Sequence, residues 1–205
     1  MNAVRTWSWG EPVEPLAACL ARGGVLAIPT ESSYGLAADP RDPQGVAAIY
    51  RLKGRETGKA LPVVLADLHQ LPHLGIDSDL PILKRFAPGW PGPLSLLLPV
   101  AKALPACAGE GSLAVRIPGH PRLRSLLAAL DRPLTATSAN RSGSAPILDP
   151  ARLPALLAEV DAVVVDDGIL PGGAPSTLIA AAPDGFTVLR EGSFDTTLLA
   201  ELFQA

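Results

Sequence analysis

The stretch PLTATSANRSGSAP, residues 133–146, changes character in its middle. Its first five residues read as a short buried strand. Then Thr137, Ser138, Asn140, Ser142, Gly143 and Ser144 crowd together. A surface turn needs about one or two such residues. In an open α/β sheet, ligands bind outside the carboxyl ends of strands, and loops there carry function. An ordinary Asx or Ser turn is the competing reading of the stretch taken alone.

Working outward, the flanking segments supply the rest of such a sheet. VLAIP (25–29), LPVVLA (61–66), PLSLLLP (93–99), SLAVRIP (112–118) and DAVVVDDG (161–168) read as strands. PSTLIA (175–180) and GFTVLR (185–190) form a closing pair around the turn signal APDG. Helices are predicted over VEPLAACLARGG (13–24), DLPILKRFAP (79–88), HPRLRSLLAALDRP (120–133) and DPARLPALLAEV (149–160). DPQGVAAIYRL (42–52) is a further helix, with Asp42 as N-cap and Pro43 in its first position. DTTLLAELF (195–203) is a short terminal one. Helices and strands mix without strict alternation. The expectation is one α/β domain over 1–205, its core at about 13–194, built on one mixed parallel and antiparallel sheet.

Composition narrows the class. The 205 residues are 48% apolar and 18% charged, a globular balance. The net charge of −3 gives no global basic field for nucleic acid. Cys19 and Cys107 are too few for a disulfide framework or a zinc knuckle, and Cys19 falls in an apolar helical pattern. MNAVRTWSWGEP lacks the apolar core of a signal peptide, and no apolar run reaches the ~20 residues of a membrane helix. A soluble, cytoplasmic protein is expected.

Cations concentrate in YRLKGRETGKAL, with Arg51, Lys53, Arg55 and Lys59. On extended backbone Lys53 and Arg55 point the same way and can clamp a polyphosphate. A solvated loop is the alternative. GRETGKA is not a P-loop: three residues separate its glycines where four are required, and Ala60 follows Lys59. Arg116 ends an apolar strand, where a cation needs an internal carboxylate or an anionic ligand. His69 and His73 have a zinc-compatible spacing, but Pro72 lies between them and no further ligands accompany them. Asp166 and Asp167 before Gly168 read as a turn. No Ser/His/Asp or Cys/His set stands out. An enzyme with this inventory works by positioning and electrostatics.

Together these segments resemble the YrdC/TsaC-type L-threonylcarbamoyl-AMP synthases, from about Gly23 to Phe194. IPTESSYGLAADP is similar to the family's Pro-Thr-(Asp/Glu)-Thr-x-Tyr-Gly-Leu signature, and KGRETGKAL to its Lys-x-Arg loop. WPGPLSLLLP resembles Trp-Pro-Gly-Pro-Leu-Thr, and AVRIPGHP the Arg-x-Pro strand end. TSANRSG, PSTLI and VLREGSF resemble Ser-Ala-Asn-x-Ser-Gly, the Ser-Thr strand and the closing Leu-Arg-x-Gly.

The resemblance implies a deep, positively charged cavity in a YrdC-like fold. It implies a nucleotidyltransferase that makes threonylcarbamoyl-AMP and pyrophosphate from L-threonine, bicarbonate and ATP. Partner proteins then move the threonylcarbamoyl group to the adenosine beside a tRNA anticodon. By the same resemblance Lys53, Arg55 and Lys59 hold the triphosphate, with Lys53 and Arg55 catalytic. Ser138, Asn140 and Arg190 hold the nucleotide. Arg116 pairs with the threonine carboxylate near Ser32, Ser112 and Ser176, while Thr30 and Tyr34 shape the pocket. Magnesium is expected with ATP, held by phosphate and water rather than by a dedicated protein site.

Ser32 replaces the family's frequent Thr, Ala60 a frequent Pro, and Val64 a His present in some members. The Asp that often follows the Ser-Thr strand is missing. Two other readings stand beside the synthase. One is a YciO-like paralogue or a relative of the HypF domain. The other is a non-catalytic module for nucleotide, tRNA or double-stranded RNA, using Arg51, Arg122, Arg124 and Arg141. At 4% aromatic residues, stacking on single strands is disfavoured. The longer members' extra domain and linker are not in this sequence, so closure is expected from this domain or a partner.

Overall fold

A computed structural model describes residues 4–54, 58–182 and 185–204. It contains two mixed sheets where the sequence pattern predicts one. The first has the order β1-β9-β2-β3-β8. Its strands are β1 (Val4–Ser8), β2 (Val25–Pro29), β3 (Tyr34–Ala37), β8 (Thr137–Ser138) and β9 (Ala162–Asp166). The second has the order β11-β10-β5-β6-β4-β7. It uses β4 (Val63–Val64), β5 (Leu94–Pro99), β6 (Ser112–Arg116), β7 (Leu134–Thr135), β10 (Thr177–Ala182) and β11 (Gly185–Arg190).

The opening stretch is where the two sheets meet. β7 pairs with β4 in the second sheet, and β8 pairs with β3 in the first. Ala136 lies between them, its N–H donating to the Pro62 carbonyl at 2.8 Å. Thr135 stitches the sheets: its N–H donates to Ala38 O, and its hydroxyl accepts from Ala38 N, both at 2.9 Å. The apolar pattern specifies a strand but not which neighbour it pairs with, so one predicted strand becomes two.

Other elements follow their local chemistry. α2 (Pro43–Lys53) starts at Asp42, whose carboxylate accepts from Gln44 N and Gly45 N. It ends at Gly54, at φ +60°, where glycine avoids a Cβ clash. α1 (Glu14–Ala21), α3 (Pro81–Phe86) and α4 (Pro121–Ala129) each have proline in the first turn. The predicted 149–160 helix divides into a 3-10 turn at Pro150–Arg152 and a short α5 (Leu153–Leu157). The predicted 61–66 strand shrinks to β4. α6 (Thr197–Gln204) packs on α3, with Phe203 and Phe86 rings 6.2 Å apart. No helix among the described residues is long and apolar enough to cross a membrane.

Two strands escape the sequence pattern. β1 exposes Arg5, Thr6 and Ser8 and buries Trp7. β3 hides behind a polar turn and is wholly buried. Its Tyr34 and Leu36, with Ile28 of β2, are fully enclosed. Each such side chain contributes about 1.5–3 kcal/mol on burial. That anchoring holds rigid the turn at the site.

Candidate active site

A cavity of about 300 Å³ opens between the two sheets. The first sheet supplies Tyr34 and Ser138, its β2–β3 turn Thr30, Ser32 and Ser33, and the second sheet Val64, Ser95, Arg116 and Arg190, with Ser176 just before β10. Lys59 completes the cationic wall, and no Asp or Glu is among the described lining residues. A second, more open cavity of about 620 Å³ adjoins it, sharing Lys59, Thr137 and Ser138 and adding Lys53, Asn140, Ser142 and Gly143.

The β2–β3 turn is braced from within. The Thr30 hydroxyl donates to Ser33 O at 2.7 Å. The Tyr34 hydroxyl donates to Gly168 O at 2.9 Å and accepts from Asp167 N at 3.0 Å. Burial raises the Tyr34 pKa, so the phenol stays a neutral strut. Gly172 N donates to Ser32 O at 2.9 Å, holding the β9–β10 connection against the turn. The Ser32 and Ser33 hydroxyls bond to no other described residue.

Across the cavity, Arg116 Nη1 meets both oxygens of Glu31 at 3.1 Å. This is the internal carboxylate that the strand-end cation required, and sequence reasoning did not single it out. Farther along the same sheet, Ser95 and Ser176 share a 2.8 Å hydrogen bond. The Arg190 guanidinium donates to Ser176 O at 2.9 Å and to Ser176 Oγ at 3.0 Å. Desolvation and the nearby Arg116 charge lower the Arg190 pKa from its ordinary value. Ser95 was also missed, although it stands at the Thr position of the quoted Trp-Pro-Gly-Pro-Leu-Thr pattern.

The TSANRSG loop closes on a lysine. Lys53 is 4% exposed, and its ammonium donates to Ser138 O at 2.7 Å and Asn140 Oδ1 at 2.9 Å. Ser138 Oγ donates to the same Oδ1 at 2.7 Å, and Asn140 Nδ2 donates to Ser144 O. Ser142 N reaches back to Lys53 O at 2.9 Å. Ser138 and Asn140 thus line the cavities with their polar groups engaged within the loop.

Three expectations change. Lys53 is not on extended backbone; it is the last residue of α2. Arg55 lies outside the described residues. Ser112 does not reach the cavity: it opens β6 opposite Pro99, while Arg116 closes the same strand. Asp167 is more than a turn residue, accepting from Trp9 Nε1 at 2.6 Å and Arg122 Nη1 at 3.0 Å. Among the described residues, no group of three or more His, Cys, Asp or Glu gathers to hold a metal. Cys19 is fully buried, and burial raises its thiol to about 11, which leaves it inert at neutral pH.

Comparison with known proteins agrees with this geometry. The family model named Sua5_yciO_yrdC, described as telomere recombination, matches residues 18–192. A threonylcarbamoyl-AMP synthase from Alkalilimnicola ehrlichii is 43% identical over 112 residues, 53% of this chain and 57% of the relative. The match therefore spans a little over half the relative's length. The crystal structure of P. abyssi Sua5 complexed with L-threonine superposes with a TM-score of 0.82 at 26% identity, covering 98% of this chain and 60% of that one. E. coli YciO superposes with a TM-score of 0.77 at 25% identity, covering 96% of this chain and 98% of that one. A two-sheet α/β frame, a cation-lined cavity between the sheets and a match across residues 18–192 lead to one assignment: the chain belongs to the Sua5/YciO/YrdC family.

Proposed function

We propose that this chain is a threonylcarbamoyl-AMP synthase, joining L-threonine, bicarbonate-derived CO2 and ATP with release of pyrophosphate. The observation that carries the reading is the cavity wall. It sets Arg116, Arg190 and Lys59 among serine hydroxyls, with no Asp or Glu among the described lining residues and Glu31 paired with Arg116. Such a wall suits anionic reactants. The structural likeness to an L-threonine-bound protein supports it.

The chemistry needs little acid–base help. Threonine's amine takes up CO2 and loses a proton, giving a carbamate. A carbamate oxygen attacks the α-phosphorus, the α–β anhydride bond breaks, and pyrophosphate leaves with that electron pair. Arg116 receives the threonine carboxylate, with Ser32 beside it. Arg190, fixed by Ser176, lies against the nucleotide. Lys59, at the junction of the two cavities, meets the phosphates; the Lys-x-Arg resemblance gives the same role to Arg55, which lies outside the described residues. Lys53 keeps the TSANRSG backbone in place for the same nucleotide. The cavity between the sheets limits the water that reaches the carbamate and the mixed anhydride. Magnesium enters as part of the nucleotide substrate.

Transfer proteins would then carry the threonylcarbamoyl group to tRNA. Of the arginines expected to meet RNA phosphate, Arg122 is bonded to Asp167 and Arg124 to Pro118 O at 2.8 Å. A YciO-like role is the second reading, favoured by the coverage of 98% of that chain. Pyrophosphate release from ATP decides between them. Release that requires both L-threonine and bicarbonate supports the synthase; release indifferent to threonine, from folded protein, overturns it.

A further inference from the structure

We infer that Glu31 is a positioning residue, holding Arg116 by one nitrogen so that its remaining donors face the substrate carboxylate. The inference rests on the synthase reading above.

The geometry is asymmetric. Only Nη1 of Arg116 contacts Glu31, touching both carboxylate oxygens at 3.1 Å. Nε and Nη2 make no hydrogen bond to any described residue. Neither is sealed off: His73 Nδ1 is the one buried, unpartnered side-chain polar atom among the described residues. Those two nitrogens form one edge of a planar guanidinium, with parallel N–H vectors that match a carboxylate. The Arg116 side chain is 13% exposed and lines the cavity, so that edge faces the inner space.

Glu31 has a second anchor. Gly119 N–H donates to Glu31 Oε1. A Cβ at Gly119 would come 3.3 Å from that oxygen, so glycine permits the close approach. Two anchors keep the carboxylate in place when a ligand arrives. The Arg116 charge lowers the Arg190 pKa, so the guanidinium that Glu31 holds is close enough to act on Arg190. Glu31 therefore works through Arg116 rather than on substrate.

The test compares wild type with Glu31→Gln and Glu31→Ala by calorimetric titration. The probes are L-threonine, L-threonine methyl ester and a non-hydrolysable ATP analogue. Glu31→Gln keeps an oxygen for Gly119 N–H, so it guards against a folding defect in the alanine variant. We expect L-threonine affinity to fall about tenfold in both variants, as for loss of a charge-assisted contact. The nucleotide analogue should bind as before, and the preference for the acid over its ester should narrow. Unchanged or tighter threonine binding overturns the inference, making Glu31 a plug that substrate displaces. Equal weakening of threonine and nucleotide overturns it as well, because that is general damage. A wild-type chain that binds no threonine overturns the synthase reading and this inference together.

Discussion

Two polar segments follow buried strands at the cavity, and they use their hydroxyls in opposite ways. In the TSANRSG loop, Ser138 and Asn140 bond to each other, to Lys53 and to Ser144, so the loop is a closed frame. In the β2–β3 turn, Thr30 alone braces the backbone, and Ser32 and Ser33 leave their hydroxyls toward the cavity. The first segment builds the wall; the second offers groups to a ligand. A cluster that reads as functional in sequence therefore divides into supports and contacts only once its partners are known.

The sharpest break in that comparison is Lys53→Ala. It would leave the Ser138 carbonyl and the Asn140 amide oxygen without their buried ammonium. Losing buried hydrogen bonds to a charged group and leaving their acceptors unpaired costs about 3 kcal/mol. A thermal melt should drop by about 6–12 °C for a chain of this size. Pyrophosphate release should fall about 100-fold or more, as for lost electrostatic positioning. Normal stability with lost activity would show instead that Lys53 acts on substrate alone.

Arg116→Ala strikes a contact rather than a support. Steady-state kinetics should show the KM for L-threonine rising about 30-fold or more, with the KM for ATP little changed. The melting point should move far less than in Lys53→Ala, because Glu31 keeps its Gly119 anchor. Ser176→Ala is intermediate in kind. It removes the Oγ that meets Ser95 and Arg190 and keeps the carbonyl that also holds Arg190. The KM for ATP should rise about fivefold, the size of one net hydrogen bond. An unchanged value would take Arg190 away from the nucleotide.

Legibility differed with the range of the interaction. The Asp42 cap and β2 depend on neighbours within a few residues, and the sequence displays them. The assignment of β7 and β8 to different sheets depends on pairing with β4 and β3, far away in the chain. Ser112 illustrates the same limit at the site. It shares a strand face with Arg116, but at about 3.3 Å per residue the two sit roughly 13 Å apart. Period-two alternation gives the face and not the end of the strand. Glu31 lay in a quoted motif yet went unread, because its partners Arg116 and Gly119 are distant in sequence.

The smallest expected effect tests what holds the contact-bearing turn from behind. Tyr34 braces the β9–β10 connection at Asp167 N and Gly168 O, and Asp167 in turn accepts from Trp9, His120 and Arg122. His120 Nδ1 accepts from Leu123 N, so the network assigns the ring proton to Nε2, facing Asp167. Burial pushes the Asp167 carboxyl up, but hydrogen bonds from His120, Arg122 and Trp9 outweigh it and hold the pKa below the ordinary value. A carboxylate with a depressed folded pKa stabilises above its unfolded value of about 3.9, and that contribution is lost as pH falls through the folded value. Asp167→Asn should therefore cost about 1 kcal/mol at pH 7 in a denaturant titration. The gap to wild type should narrow once the pH falls below about 4. A gap of constant size down to pH 2 would assign the stabilisation to packing, and the turn's rear support would no longer depend on charge.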